Sequence, residues 1–164
     1  MASASYQTRR DEIETYFDRT AADAWAALTS DAPVSRIRRT VRHGRDAMRQ
    51  TLMSWLPEDM TGSTLIDAGC GTGTLAIEAA QRGAEVVAVD LSPTLVNLAR
   101  ERLRDLNQTL DVTFLVGDMR DMDLGSFDYA VAMDSLIHYD VADGVQTVSY
   151  THLTPPTRAQ VVIS

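Results

Sequence analysis

Three closely spaced glycines follow an acidic residue in the middle of the chain: after Asp67 come Gly69, Gly71 and Gly73. Because a glycine has no Cβ, such a run can turn sharply and bring backbone N–H groups close to a bound ligand. This geometry is general to nucleotide sites. The dinucleotide pattern G-x-G-x-x-G would place its third glycine at position 74, which is Thr74, so that pattern is not met.

Two further acids stand at the ends of later predicted strands. Asp90 follows Gly73 by seventeen residues, and a carboxylate there can accept both hydroxyls of a ribose. Asp118 and Met119 follow the next strand, where an acid and a thioether suit an adenine. Asp67 suits a ligand with a cationic ammonium and sulfonium. Each acid also has a simpler interpretation as a turn or cap residue, but the set together predicts a site for S-adenosylmethionine.

Short apolar runs alternate with amphipathic helices from Thr64 onward, which predicts βα units and a parallel sheet. The predicted strands cover residues 64–67, 85–90, 112–116 and 127–133. A helix from about 73 to 81 should be closed by Gly83 in the left-handed conformation. The next helix should have Ser92 as its cap and Pro93 at its first position.

Two helices are predicted ahead of this region, over residues 8–29 and 34–56. Pro57 terminates the second helix after residue 56, and the predicted apolar stripe of that helix consists of Ile37, Val41, Met48, Leu52 and Trp55. Its arginines at positions 38, 42, 45 and 49 lie on another face. That face is either solvated or part of a lid that presents guanidinium groups to an anionic substrate.

Composition limits the remaining classes of function. The formal net charge of −8 opposes a nucleic-acid partner. Cys70 is the single cysteine, so disulfides and thiolate zinc sites within the chain are excluded, and the scattered histidines predict no metal site. No run is long and apolar enough for a signal peptide or a membrane span. We therefore expect a cytoplasmic protein, with peripheral attachment to the inner membrane as a variant of that expectation.

From Thr64 to Tyr139 the sequence resembles the class I S-adenosylmethionine-dependent methyltransferases. The resemblance implies that loop residues line the methionine part of the cofactor, that Asp90 binds the ribose, and that Asp118 with the Met119 backbone binds the adenine. The full set of predicted cofactor-binding residues is Asp67, Gly69, Gly71, Gly73, Asp90, Leu91, Asp118 and Met119.

The segments 16–25, 43–45 and 133–139 together resemble the magnesium-protoporphyrin IX O-methyltransferases of chlorophyll and bacteriochlorophyll biosynthesis, although Ala21 and Ala22 replace that family's usual Gly-Phe. This resemblance implies a porphyrin propionate as the methyl acceptor. A propionate, with a pKa of about 4.5, is already an anion at pH 7 and needs no strong base. Tyr16 and His138 are then the predicted catalytic residues that orient the carboxylate. Their alternatives are a core aromatic and a plain loop histidine.

Other functions stay open at this point. The nearest is a methyltransferase for another small acceptor, such as a quinone-precursor hydroxyl. A nicotinamide-dependent oxidoreductase is disfavoured by Thr74 and Asp67, and a non-catalytic binding remnant is the third alternative. Besides a porphyrin substrate, contact with other pigment-biosynthesis enzymes is a predicted partnership.

The fold class is therefore α/β, a Rossmann-like parallel sheet with strand order 3-2-1-4 preceded by N-terminal helices. We assign residues 1–57 to a helical arm or lid, 58–148 to a partial S-adenosylmethionine-binding domain and 149–164 to a non-native tail, which contains Pro155 and Pro156. We expect the chain to be C-terminally truncated, since class I methyltransferases have seven strands. The fourth strand would then be an exposed edge, unless residues 159–163 pair with it as a fifth strand.

Overall fold

The computed structural model describes residues 8, 11, 12, 15, 16, 36–119, 121–133 and 161–163. Its strands are β1 (Thr64–Ala68), β2 (Glu85–Asp90), β3 (Val112–Val116), β4 (Tyr129–Ala132) and β5 (Val161–Ile163). Its helices are α1 (Arg36–Trp55), α2 (Thr74–Gln81) and α3 (Pro93–Asp105). The strands form one sheet in the order β3-β2-β1-β4-β5.

This order contains the predicted order 3-2-1-4, which is therefore confirmed. Every pair of neighbouring strands is parallel, as predicted. β1 lies at the centre, where Asp67 is opposite Ala88 of β2 on one side and Val131 of β4 on the other. Because parallel strands all end at the same edge of the sheet, the loops that follow β1, β2 and β3 meet there. This edge is the place where the predicted site residues should converge.

The fourth strand is shorter than the predicted range 127–133. Residue Asp128 is held by a side-chain exchange with Thr64: its Oδ2 accepts from the Thr64 N–H at 2.9 Å and from Thr64 Oγ1 at 3.1 Å. The Asp128 N–H donates to Thr64 Oγ1 at 3.0 Å. The Asp128 N–H also donates to the Thr64 carbonyl oxygen at 3.1 Å. These bonds join the start of β1 to the residue before β4, and the strand itself begins at Tyr129.

The expectation of an exposed β4 edge is wrong for this structure. Val161, Val162 and Ile163 pair with Ala130 to Ala132 in parallel register, so the alternative of a fifth strand near the C-terminus is the arrangement observed. The strand covers three residues of the predicted range 159–163. A paired edge leaves fewer backbone groups of β4 open to another chain.

The core lies mainly between the sheet and the three helices. On both faces of the sheet taken together, the largest fully buried apolar side chains among the described residues are Leu52, Met53, Met60, Leu65, Ile66, Val86, Val89, Val96 and Val131. A smaller cluster of Ile66, Phe127 and Ala130 forms on the other face of the sheet. The predicted stripe of α1 is partly wrong, because Trp55 is 53% exposed and Val41 is 46% exposed. Leu52 of that stripe is buried as predicted, and it is joined by Met53 and by Leu56, which directly follows α1.

Arginine side chains attach α1 to α2. Arg82 caps the end of α1 through its Nη1, which donates to the carbonyl oxygens of Met53 at 2.6 Å, Pro57 at 3.2 Å and Leu56 at 3.3 Å. These carbonyls lie in the last turn of α1 and directly after it, where no further helical turn supplies N–H donors. Arg49 donates to Glu78 of α2 at 3.1 Å, so it does not belong to a merely solvated face.

The N-terminal helix predicted over residues 8–29 lies mostly outside the described residues. Thr8, Asp11, Glu12 and Thr15 are α-helical, and Tyr16 is in a π-type turn. In the part of the chain that the structure describes, no helix combines the length and apolar character needed to cross a membrane.

Candidate cofactor site

The glycine loop connects β1 to α2 and depends on left-handed backbone at each of its glycines. The φ angles are 81° at Gly69, 52° at Gly71 and 75° at Gly73, a region that side chains strongly disfavour. The N–H groups of Gly69 and Cys70 both donate to the Val89 carbonyl oxygen, at 2.8 and 3.0 Å. The first half of the loop is therefore held against the end of β2.

Asp67 is buried beneath the first turn of α2 and is only 1% exposed. The helix begins after Gly73, which has no side chain to cap it, and a hydrogen bond from the Ala76 backbone N–H to the Asp67 carboxyl partly fills that role. Within the described residues, the Asp67 Oδ2 atom has no hydrogen-bond partner. A buried acid with an open acceptor would gain from a cationic ligand.

The charge state of Asp67 reflects this environment. The pKa of Asp67 is raised to about 7, mainly by burial and in addition by the negative charge of Asp90. The hydrogen bond from the Ala76 N–H acts in the opposite direction and lowers the pKa. Near neutral pH the site therefore disfavours a second negative charge at Asp67. A positive charge placed between the two acids would remove the repulsion and restore the carboxylate.

Asp90 stands at the tip of β2 and is oriented by two backbone N–H groups. Gly71 donates to its Oδ2 at 2.8 Å, and Ser92 donates to its Oδ1 at 2.9 Å. Both carboxylate oxygens of Asp90 are thereby fixed next to the glycine loop, at the edge where β2 ends. The geometry thus fits the predicted role of Asp90 as an acceptor for ribose hydroxyls.

Two of the loop glycines face different surroundings. A Cβ on Gly71 would meet no atom within 4 Å, so this residue borders open space, as the approach of a ligand requires. A Cβ on Gly73 would lie 2.7 Å from the Phe114 ring and 2.8 Å from the Ala99 Cβ. The Gly73 N–H also donates within the loop, to the Cys70 carbonyl oxygen at 2.9 Å. The geometry thus gives Gly73 a packing role, whereas its contact with cofactor stays a prediction.

The segment after β3 reaches the same edge of the sheet. The Gly117 N–H donates to the Asp90 carbonyl oxygen at 2.9 Å, which places the next residue, Asp118, beside the end of β2. Asp118 is buried at 5% exposure, whereas Met119 and Leu91 are half-buried. The structure therefore brings the predicted cofactor residues together at one edge.

The two predicted catalytic residues are not brought together in the same way. Tyr16 is 54% exposed, so the alternative of a core aromatic is wrong for this structure. His138 lies outside the described residues, as does Trp25. The roles of Tyr16 and His138 toward an acceptor stay predictions.

Cys70 lies inside the glycine loop, in surroundings that make its thiol unreactive. Burial and the negative charges of Asp67 and Asp90 raise the pKa of its thiol well above the usual range. The Sγ atom lies 3.8 Å from the Gly71 carbonyl oxygen. The residue is therefore a protonated thiol at neutral pH and a poor nucleophile.

Sequence reasoning missed a set of hydrogen bonds that holds the second half of the glycine loop, residues 72–74; we call it the Arg102 clamp. Arg102 of α3 donates through Nη1 to the Thr72 carbonyl oxygen at 3.0 Å, to Thr72 Oγ1 at 3.1 Å and to Thr74 Oγ1 at 2.6 Å. The helical periodicity of α3 identifies its apolar face but carries no signal for the partner of a single arginine. Two threonines flanking Gly73 were the one local hint.

Comparison with known proteins agrees with this geometry. Residues 65–155 match the family described as "Methyltransferase domain". The chain is 54% identical over 141 residues to the magnesium-protoporphyrin O-methyltransferase of Rhodobacter capsulatus, with 85% of this chain and 62% of that protein covered. It is 31% identical over 161 residues to the chloroplastic magnesium protoporphyrin IX methyltransferase of Arabidopsis thaliana, with 94% and 50% covered. The chain thus spans about half to two thirds of the length of these relatives.

Solved structures show the same fold. The magnesium protoporphyrin IX methyltransferase of Synechocystis PCC 6803, crystallised with bound S-adenosylmethionine, superposes with a TM-score of 0.80 at 28% identity, over 86% of this chain and 69% of that one. A geranyl diphosphate C-methyltransferase of Streptomyces coelicolor gives a TM-score of 0.72 at 23% identity, over 98% of this chain and 65% of that one. The predicted Rossmann-like methyltransferase fold is confirmed, and the chain belongs to the methyltransferase domain family.

Proposed function

We propose that this chain carries the S-adenosylmethionine site of a magnesium-protoporphyrin IX O-methyltransferase, whose methyl acceptor is a propionate carboxylate of the macrocycle. The observation that carries the cofactor half of this proposal is the buried Asp67 beside Asp90 at the end of a glycine loop. The acceptor half rests on the 54% identity to the Rhodobacter capsulatus enzyme.

The charges at the loop favour a cation over a pyrophosphate. Burial and the negative charge of Asp90 already raise the pKa of Asp67, and a pyrophosphate would add negative charge to the same place. The ammonium and sulfonium of S-adenosylmethionine would instead neutralise it. The open space beside Gly71 allows such a ligand to approach the backbone. These features disfavour a nicotinamide dinucleotide.

When bound, S-adenosylmethionine would supply the methyl group, and the propionate oxygen would accept it. The acceptor is already ionised at neutral pH, so the chain has no proton to remove before transfer. Its residues need only hold the reacting atoms in line and exclude water. In this proposal Asp67 and Asp90 hold the cofactor, while Tyr16 and His138 orient the acceptor carboxylate.

Calorimetric titration tests the cofactor half. We expect S-adenosylmethionine and S-adenosylhomocysteine to bind the chain at pH 8, where Asp67 is ionised. NAD is the matched competitor, since it shares the adenosine part and differs in the charge of the remainder. Binding of NAD in preference to S-adenosylmethionine would contradict the proposal and support an oxidoreductase.

A transfer assay tests the acceptor half. Cofactor labelled in the methyl group is incubated with the chain and either magnesium-protoporphyrin IX or a phenolic quinone precursor, and the label is located by chromatography. We expect the label in an ester of the porphyrin, from which treatment with base releases it as methanol. Label in the phenol alone would favour the quinone-precursor alternative, which rests on 39% identity over 83 residues to a ubiquinone biosynthesis O-methyltransferase of Xanthomonas oryzae. Cofactor binding with transfer to neither acceptor would favour a binding remnant.

Location in the cell is part of the same proposal. We place the protein in the cytoplasm with peripheral attachment to the inner membrane, in contact with other pigment-biosynthesis enzymes. Fractionation followed by a high-salt wash tests this placement, because peripheral attachment is reversed by the wash. Retention on the membrane until detergent is added would contradict it.

A further inference from the structure

The second half of the glycine loop is fixed from outside by one side chain. Arg102, in the last turn of α3, directs its Nη1 at three oxygen atoms that belong to Thr72 and Thr74. These residues are the immediate neighbours of Gly73 on either side. A single guanidinium nitrogen therefore binds the backbone and hydroxyl of Thr72 and the hydroxyl of Thr74 to α3.

The first half of the loop has a separate attachment. The N–H groups of Gly69 and Cys70 bond the Val89 carbonyl oxygen at the end of β2. Gly71 lies between the two attachments, and its N–H donates to Asp90 Oδ2 at 2.8 Å. Gly71, which borders open space, thus lies between one loop segment bound to β2 and another bound to α3.

Helix α3 connects both parts of the site. At its start, the Ser92 N–H donates to Asp90 Oδ1 at 2.9 Å, and near its end Arg102 holds the loop. Thr72 is only 4% exposed, so its oxygens are satisfied by the guanidinium in a place shielded from solvent. The acceptors of these three bonds are one carbonyl oxygen and two hydroxyl oxygens, so Arg102 holds the loop through directed hydrogen bonds.

We propose that Arg102 is a positioning residue for cofactor binding: by holding Thr72 and Thr74 it keeps the Gly71 N–H on the Asp90 carboxylate, in the arrangement that the ligand meets. This inference rests on the proposed S-adenosylmethionine site. It assigns a role in that site to a side chain that needs no contact with the ligand.

The experiment compares Arg102→Gln and Arg102→Lys with a matched control, Arg104→Gln. Arg104 lies in the same turn of α3 but is exposed and donates to the carbonyl oxygen of Arg100 in its own helix. The readouts are the Kd of S-adenosylhomocysteine by calorimetry, the Tm, and hydrogen exchange of a peptide that covers residues 69–74. We expect Arg102→Gln to raise Kd about tenfold and to speed exchange in that peptide, with Arg102→Lys in between. Arg104→Gln should stay within about twofold of the parent.

A smaller change on the acceptor side keeps the inference testable if Arg102→Gln does not fold. Thr74→Val removes the Oγ1 atom that lies 2.6 Å from the guanidinium and nearly preserves the shape of the side chain. We expect Kd to rise about threefold to fivefold. Where both single variants fold, the double variant should bind no more weakly than Arg102→Gln alone, because the two changes remove the same bond.

The outcomes separate this inference from the proposed function. Failure of the parent chain to bind the ligand would overturn the proposed function, and the exchange of residues 69–74, measured without ligand, would then decide on the clamp. An unchanged Kd and unchanged loop exchange in folded Arg102→Gln would overturn the role of Arg102. If only Thr74→Val folds, the same two unchanged readouts in that variant would overturn it. Fully additive losses in the double variant would also contradict the clamp.

Discussion

Replacement of Asp67 by Asn should change how the stability of the protein depends on pH. The pKa of Asp67 rises from 3.8 to about 7 in the folded chain, mainly because the side chain is buried. Between these two values the folded chain retains a proton that the unfolded chain has released. Its free energy of unfolding should therefore fall as pH rises, by about 1.4 kcal/mol per pH unit and by about 4 kcal/mol across the window.

The Asp67→Asn variant has no such slope, because an amide does not titrate in this range. It keeps the shape of the side chain and an oxygen that can accept the bond from the Ala76 N–H. The two proteins should be similar near pH 4, and the variant should be more stable by about 4 kcal/mol near pH 8. Urea unfolding followed by circular dichroism at pH 5, 6, 7 and 8 measures the difference, in which the titrations of other groups largely cancel.

The same substitution should weaken cofactor binding, since the ligand's cations lose a carboxylate. In the parent chain, the affinity for S-adenosylmethionine should rise with pH until Asp67 is ionised, by up to about tenfold per pH unit below pH 7. Stability curves that run parallel for the parent and Asp67→Asn would refute the assigned pKa. An affinity for S-adenosylmethionine independent of both pH and the substitution would refute the place of Asp67 in the site.

Three further outcomes are expected. Gly73→Ala should lower the free energy of unfolding by about 2–4 kcal/mol, because the backbone is left-handed and the new Cβ would lie 2.7 Å from the Phe114 ring. Gly44→Ala is the control, since its Cβ would meet no atom within 4 Å. In urea unfolding, this control should be neutral or stabilising. Equal stability of the two variants would contradict the packing role. Asp90→Asn should raise the Kd for S-adenosylmethionine about tenfold in calorimetry, since an amide NH₂ would oppose a backbone N–H; an unchanged Kd would remove Asp90 from the site. His138→Ala should lower methyl transfer in the labelled assay with the cofactor Kd within about twofold, whereas equal loss of both would refute its role toward the acceptor.

The parallel sheet could be predicted from local sequence because its signals are local. Mainly apolar runs of five or six residues, each followed by a loop with glycine or acid, mark the strands β1 to β3. Ser92 caps α3 by accepting the Leu95 N–H, and Pro93 occupies the first turn as expected. Gly83 has the left-handed φ of 96° that the end of α2 requires.

The parts that sequence reasoning missed depend on contacts between distant residues. Trp55 and Leu56 are neighbours with similar apolar character, and only the packing of α1 on α2 decides that Leu56 is buried and Trp55 exposed. The clamp from Arg102 to Thr72 joins residues thirty positions apart. The loop glycines have the same residue type, so only tertiary structure shows that Gly71 borders open space and Gly73 packs on Phe114.

The arginines that bind backbone carbonyls also allow local opening of the structure to be followed by chemical modification of their side chains. All of its cationic side chains are arginines, and Arg82 and Arg102 are partly buried while Arg39 and Arg104 are exposed. A dicarbonyl reagent that condenses with guanidinium groups should therefore modify Arg39 and Arg104 first. Modification of Arg82 would register separation of α1 from α2, and modification of Arg102 would register release of the glycine loop, so mass spectrometry could time the two events separately in one sample.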